Sequence, residues 1–332
     1  MNRLSLLTLC TVIIAACACT GESGKESPKT MNELYVDALA DAYASFEETG
    51  ALPEEITVGQ ASFEKGEYLC VAAKLIGAIN EDPSGWKDNT IAPVPWKWSA
   101  NRQWNTWLDD NLSSAEVAYI ASAIDNYCGA NGGNMPNFVT MQTKADILGT
   151  THPARLSCFN ASVVMLRAVA AFKENGAMPG QVSSWESDWL HSTANCLVDD
   201  PLVVETMKAF TAGCSTQREK AEAIFRHTIE DWEWQDYYNT SKGAVKTIQE
   251  KGGNCCDLTH ATLAVCRAAG IPARYMHGQC HFKSGVIGHV IPYIYADGQW
   301  WICDPSNDSS VFGTPVWKGM ETFNGIYDEL PF

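Results

Sequence analysis

The segment GGNCCDLTHATLAVCRAAGIPARY, residues 252–275, sets two adjacent cysteines behind a glycine pair and ahead of an apolar run of helical period. A thiol there can be a nucleophile, a metal ligand, a disulfide partner or a small core residue. Gly252 and Gly253 permit a tight turn, Asn254 is a favourable N-cap, and Asp257 stands at the third helical position, where its carboxylate can reciprocate the cap. Cys255 then falls on the first turn. Unpaired N–H groups and the positive end of the helix dipole favour a thiolate at that place, and the same N–H groups can hold an oxyanion, so the chemistry is attack on a carbonyl.

Such a nucleophile needs a base, and the base needs an orienting partner. GHVIPYIYADGQWWICDPS, residues 288–306, reads as two strands joined by a two-residue turn at Asp297-Gly298. Pairing Ala296 with Gln299 puts Asp304 opposite Ile291 and diagonal to His289 on one face, which makes a His–Asp pair at the end of the hairpin. A one-residue slip would separate them. Pro292 has no N–H and is expected to turn its backbone away from a partner strand.

The elements that must hold these residues are legible in outline. Leu258, Ala261, Thr262, Val265 and Ala269 form the expected buried stripe of the cysteine helix, which Gly270-Ile271-Pro272 ends. Upstream, from Pro201, two helices are expected. The second is capped by Ser215 or Thr216 and buries Ala221, Ile224, Phe225, Thr228 and Ile229. A short helical pattern then leads into Gly252.

The first half contains a repeat: stretches beginning at Phe46, Tyr127 and Phe172 each follow an apolar helix with a Gly, a Pro three positions on, and an extended stretch. Gly50, Gly132 or Gly133, and Gly176 can cap helix ends, while Pro53, Pro136 and Pro179 prevent resumption. In the helix after the first copy, Tyr68, Ala72, Leu75 and Ile79 make one face. Such units bury their faces only against each other. Between the first two copies lie Trp86, Trp96, Trp98, Trp104 and Trp107, either a stacking platform for sugar rings or core; the helical spacing of Trp104 and Trp107 favours core.

The chain starts with Arg3 and an apolar run from Leu4 to Ala16, too short for a permanent span and expected as an export signal over residues 1–16. Ile14-Ala15-Ala16-Cys17 is similar to a bacterial lipoprotein box, which implies lipidation of Cys17, with residues 17–30 as a flexible tether; a plain signal-peptidase site is the alternative. A net charge of −16 over 332 residues argues against nucleic acid and anionic surfaces and for a neutral or cationic substrate. The membrane is met through the lipid anchor alone. Of 13 cysteines, loss of Cys10 and anchoring of Cys17 leave an odd set, so one thiol cannot pair internally. Cys70, Cys158, Cys196 and Cys266 sit in apolar helical surroundings and read as core.

Cys255, Cys256, His260, His277, Cys280, His281 and His289 crowd a short span, but their spacing contains no closed C-x-x-C pair, so no metal and no cofactor are expected. His260 reads as a packed core histidine and Cys256 as buried.

From about Leu202 onward the chain resembles the transglutaminase-like cysteine hydrolases, a branch of the papain-like fold. The resemblance rests on G-N-C-x-D at residues 253–257, R-A-A-G-I-P-A-R-Y at 267–275, G-H at His289 and D-P at Asp304. With YYNTSKGAVKT upstream, the similarity runs towards pseudomurein endoisopeptidases, and the repeats are similar to pseudomurein-binding repeats, which hold cell-wall polymer.

The resemblance implies an α+β architecture: an all-helical repeat domain over 31–200, then a catalytic domain over 201–332 with the cysteine helix packed on an antiparallel sheet. It selects Cys255 over Cys256 as nucleophile, with His289 as base and later acid and Asp304 fixing the imidazole tautomer. It departs at Ile291, where the family carries an aromatic residue, so the cleft wall is expected to differ. The implied activity is cleavage of peptide or isopeptide bonds in cell-envelope peptides or proteins. An amine acyltransferase and a non-catalytic binding protein on the same core are the alternatives.

Overall fold

The computed structural model describes residues 28–332 apart from 103–104, 108, 142–143, 146–150, 153 and 186–188. The expected signal segment, Cys17, the tether up to residue 27 and Trp104 lie outside the described residues.

The first part is built on helices α1 (Met31–Thr49), α2 (Lys65–Glu81), α3 (Ser114–Ala130) and α4 (Cys158–Asn175). Local chemistry sets their ends. Thr30 and Glu33 form a capping box at the start of α1, Ser113 and Glu116 do so for α3, and Gly50 and Gly176 close α1 and α4 in the left-handed conformation. The expected face of α2, Tyr68, Ala72, Leu75 and Ile79, is wholly buried.

This part is not all-helical. Strand β1 (Glu55–Val58) pairs with β2 (Ala61–Glu64), β3 (Asn111–Ser113) with β8 (Gln181–Ser183), β4 (Phe138–Thr140) with β7 (Arg155–Ser157), and β5 (Lys144–Ala145) with β6 (Thr151–His152). The stretches after Gly50, Gly133 and Gly176 become β1, β4 and β8, and each meets the strand that enters a neighbouring helix. The ribbons satisfy backbone groups that an all-helical packing would leave open between helices. Trp86, Trp96 and Trp107 are buried, and the Trp86 ring meets Phe172 edge-on at 5.1 Å, so these indoles are core and not a platform.

The second part begins with α5 (Pro201–Phe210), capped by Asp200 with proline in its first turn, and α6 (Gln217–Glu230), whose expected cap is Thr216 in a box with Glu219. Strand β9 (Glu233–Trp234) runs parallel to β10 (Gly252–Gly253), with α7 (Gly243–Glu250) between them. Then follow α8 (Cys255–Ala268) and an antiparallel four-stranded sheet of β11 (Ala273–Phe282), β12 (Gly285–Ala296), β13 (Gln299–Ile302) and β14 (Met320–Tyr327), in the order β13-β12-β11-β14.

One face of the sheet, through Tyr275, Val290 and Ile294, packs on α8, and the other, through Met276, Ile291 and Tyr293, packs on Trp185, Trp189 and Trp317. The expected stripe on α8 understates its burial. Every residue from Cys256 to Arg267 is buried, because α5, α6 and α7 cover the side away from the sheet. Leu258, Leu263 and Val265 are fully enclosed, each contributing about 1.5–3 kcal/mol of apolar burial.

Pro292 departs from its expected place. It lies on an inner strand and its carbonyl accepts from Cys303 N at 3.0 Å; the missing donor is tolerated because the β12–β13 ladder ends at Tyr293–Ile302. No described helix is long and apolar enough to cross a membrane.

Candidate active site

Cys255 opens α8, and its neighbours explain why the chain turns there. The Asn254 side chain accepts from Asp257 N at 3.0 Å and donates to the carbonyls of Tyr237 and Asn239 at 3.0 and 2.8 Å, so one amide caps the helix and ties down the preceding loop. Gly252 and Gly253 are required by close approach. A Cβ on Gly252 would lie 2.7 Å from Glu233 O, and one on Gly253 would lie 2.8 Å from Asp257 Cβ.

Asp257 does not reciprocate the cap. Its buried carboxylate instead accepts from the Tyr237 hydroxyl at 2.6 Å and from the N–H groups of Ser241, Lys242 and Gly243 at 3.2, 3.0 and 2.9 Å. An acceptor-only group with four lone-pair sites satisfies a loop whose own carbonyls cannot reach these donors. The Lys242 ammonium completes the clamp by donating to Gly252 O at 2.8 Å and Gln235 Oε1 at 2.7 Å. Reading Asp257 only as a cap missed this. The run of small polar residues from Asn239 to Gly243 was the available signal.

The hairpin brings His289 and Asp304 together in the expected register, Ala296 opposite Gln299 and Tyr293 opposite Ile302. His289 Nε2 lies 2.9 Å from Asp304 Oδ2, and Asp304 Oδ1 accepts from Ser306 N at 3.1 Å. Because Nε2 faces the carboxylate, Nδ1 is the ring nitrogen left for the sulfur of Cys255, and His289 acts electrostatically on that thiol. The Phe282 ring stands edge-on to the imidazole at 5.1 Å and closes one side. Asp304 and His289 are buried, whereas Cys255 is partly exposed, so the line opens to solvent at its sulfur end.

The electrostatics follow from that order. A hydrogen bond from the Cys256 thiol, then one from His289 and its charge, bring the Cys255 thiol well below the ordinary thiol range against the opposing effect of burial. Burial alone would push the His289 imidazolium down. The Asp304 charge and hydrogen bond, with the Cys255 sulfur, outweigh it and hold the ring protonated above its ordinary range. Cys256 is buried and its thiol is pushed far up, first by its bond to Cys255 and then by desolvation.

The other histidines and cysteines of the crowded span do not converge. His260 is fully buried between Thr240 Oγ1 at 2.8 Å and Tyr275 OH at 2.7 Å, and desolvation lowers it to about 4. His277 faces Asn324 and Phe332, His281 stands 3.8 Å from Glu321, and Cys280 is buried. Among the described residues no group of three His, Cys, Asp or Glu side chains is arranged to hold a metal ion, and every described cysteine is a free thiol. Ile291 is 1% exposed among the core residues behind the sheet, so it does not line a cleft as expected.

Both arginines of the R-A-A-G-I-P-A-R element turn out to be staples. Arg267 donates to Ala273 O at 2.9 Å, His191 O at 2.9 Å and Asp328 Oδ1 at 3.0 Å. Arg274, fully buried and lowered to about 10 by desolvation, reaches Asp110 Oδ1 at 3.2 Å and lies 3.7 Å from the centre of the Trp300 ring.

Apolar side chains are exposed on the segments that carry the site. Trp234, paired beside Gly253, is 52% exposed; Tyr238, in the loop held by Asn254, is 92% exposed; Val286 and Ile287, just ahead of His289 on β12, are each 45% exposed.

Residues 204–305 match the model of the transglutaminase-like superfamily, so the second part of the chain carries a transglutaminase-like core. An uncharacterised protein of Mycobacterium leprae is 41% identical over 66 residues, which are 18% of this chain and 24% of that protein. This chain therefore spans about a quarter of that relative's length. Among solved structures, a candidate cysteine protease from Cytophaga hutchinsonii is 23% identical with a TM-score of 0.36, covering 42% of this chain and 46% of that one. A candidate protease from Parabacteroides distasonis is 17% identical with a TM-score of 0.27, covering 39% and 29%. A TGase is 11% identical with a TM-score of 0.30, covering 59% and 50%.

Proposed function

We propose that this chain is an exported, lipid-anchored cysteine hydrolase of transglutaminase-like type that cleaves peptide or isopeptide bonds in cell-envelope polymers. The observation that carries the reading is a partly exposed Cys255 at the start of α8 under the electrostatic influence of His289, which a buried Asp304 holds at 2.9 Å. Export and anchoring rest on the Leu4–Ala16 run and Cys17.

The Cys255 thiolate attacks the amide carbon, a C–S bond forms, and the carbonyl oxygen takes the charge against the first-turn N–H groups of α8. The tetrahedral adduct collapses, the C–N bond breaks, and the leaving amine takes its proton from the His289 imidazolium. Water then attacks the thioester, giving its proton to neutral His289. The C–S bond breaks, the product leaves as the carboxylic acid and gives its remaining proton to solvent, and the thiolate–imidazolium pair is restored. Asp304 keeps Nε2–H engaged, so Nδ1 alone faces the reacting atoms. Trp234 and Tyr238, exposed on the segments tied to the start of α8, and Val286 and Ile287, exposed ahead of His289 on β12, are the apolar side chains available to residues flanking the scissile bond.

The test is mass spectrometry of peptidoglycan fragments, pseudomurein fragments and isopeptide-linked peptides after incubation with the wild type and with Cys255→Ala. New amine and carboxylate ends, one water added per cut, are expected with the wild type alone. Products common to both proteins would refute the reading.

A further inference from the structure

Strand β13 is 4 residues long and lies at the edge of the sheet, paired with β12 from Tyr293–Ile302 to Ala296–Gln299. Asp304 stands two residues past its end, so its place against His289 depends on this short ladder. A short edge ladder specifies its own register weakly, and a one-residue slip would carry Asp304 away from the imidazole. Anchors outside the ladder therefore matter to the site. On the α8 face the anchor is Trp301, with the Arg218 guanidinium 4.1 Å from the centre of its ring, and both residues belong to the second part of the chain.

On the other face, one row of side chains crosses three adjacent strands. Arg274 of β11 stands opposite Tyr293 of β12, and Trp300 of β13 stands opposite Tyr295 of β12. The Arg274 guanidinium lies 3.7 Å from the centre of the Trp300 ring and 5.0 Å from that of Tyr293, and the Tyr293 and Trp300 rings are 5.4 Å apart. A single carboxylate closes the row. Asp110 Oδ1 accepts from Arg274 Nη1 at 3.2 Å, and Asp110 Oδ2 accepts from Trp300 Nε1 at 2.8 Å. Asp110 thus ties together the two strands that flank β12, the strand of His289.

Asp110 comes from the first part of the chain and is itself fixed. It immediately precedes β3, which pairs with β8 and leads into α3, and its carbonyl accepts from Ser184 N at 3.0 Å just past the end of β8. The Arg274 side chain is wholly enclosed, so its charge depends on the carboxylate that meets it, and its stack on the indole sets the plane of the Trp300 ring.

We infer that Asp110 is a positioning residue for the catalytic pair: by joining Arg274 to Trp300 it holds β13 in the register that sets Asp304 against His289. The first part of the chain then helps to build the active site of the second. It acts through the sheet, from behind the hairpin, and touches neither substrate nor nucleophile. The consequence for Cys255 rests on the function proposed above; the clamp on β13 does not.

The experiment compares the full chain with Asp110→Ala, with the milder Asp110→Asn, and with Leu39→Ala, which loosens the first part within its own core and leaves the clamp untouched. Amide hydrogen exchange read by mass spectrometry follows residues 297–306, and brief labelling with limiting iodoacetamide in mild acid ranks Cys255 against Cys214. Asp110→Ala is expected to speed exchange over 297–306 about 10-fold, the loss of a charge-assisted hydrogen bond, and to cut the lead of Cys255 about 3- to 10-fold. Asp110→Asn should do less of both, and Leu39→Ala neither. Unchanged exchange over 297–306 in the Asp110 variants, or an acceleration matched by Leu39→Ala, overturns the clamp. Faster exchange with an unaltered lead of Cys255 overturns the positioning role. A wild-type Cys255 with no lead over Cys214 would refute the function proposed above, while the exchange comparison would still decide the clamp.

Discussion

Asp304 Oδ2 sits 2.9 Å from His289 Nε2 although Asp304 stands beyond the last residue of β13, so the contact is set by hairpin register and by the Ser306 N–H that holds the other carboxylate oxygen. Replacing Asp304 with Asn preserves the shape but removes the charge that keeps the ring protonated and can offer the wrong hydrogen-bonding face to Nε2. We expect kcat to fall roughly 10²-fold or more with a smaller change in KM, read by steady-state kinetics on a cleavable peptide.

The Asp257 carboxylate holds the loop of Tyr237 to Gly243 against the first turn of α8. Asp257→Ala leaves buried N–H donors without an acceptor and is expected to cost about 3 kcal/mol, with Asp257→Asn losing less. Urea denaturation measures this; equal midpoints for wild type and Asp257→Ala would rule out the clamp.

Gly253→Ala forces a Cβ to within 2.8 Å of Asp257 Cβ and 3.2 Å of the Tyr237 hydroxyl. Overpacking of this kind costs about 1–3 kcal/mol. Since the strain falls two residues from Cys255, a drop in thiol reactivity should accompany the loss in Tm, whereas a stable, fully reactive variant would mean the turn has room to spare.

His260 gives the fold an acid limit. Its folded pKa, about 4, lies below the unfolded value near 6.5, because burial disfavours the charged ring. The neutral form's stabilisation is therefore complete above pH ~6.5 and is lost as pH falls towards 4, up to about 3 kcal/mol. Thermal melts between pH 7 and 4 should show a shallower decline for His260→Gln than for the wild type, and parallel curves would exclude this source.

The parts of the site carried by local signals were legible in the sequence. The Asn254 cap, the end of α8 near Gly270 and the Asp297-Gly298 turn each depend on a few adjacent residues, and from the turn the register to Tyr293–Ile302 follows by counting. Features decided by packing were not legible. Nothing adjacent to Asp257 tells that Tyr237, twenty positions away, will share its carboxylate, and nothing around Ile291 tells that its face is closed by Trp317 from a distant segment. Arg274 is the strongest case: an arginine in a strand reads as solvated, and only the assembled fold supplies Asp110 and the Trp300 ring that enclose it. Likewise, the paired ribbons between the first four helices required strands such as β3 and β8, far apart in the chain, to meet.

The central claim is that Cys255 exists as a thiolate paired with the His289 imidazolium, and competitive alkylation tests it most directly. The protein is exposed briefly to limiting iodoacetamide at pH 5.5 and mapped by peptide mass spectrometry, with the partly exposed Cys214 as internal reference. The account predicts that Cys255 is labelled well ahead of Cys214 and that His289→Ala abolishes this lead. Labelling of Cys255 no faster than Cys214, or a lead that survives His289→Ala, would contradict it.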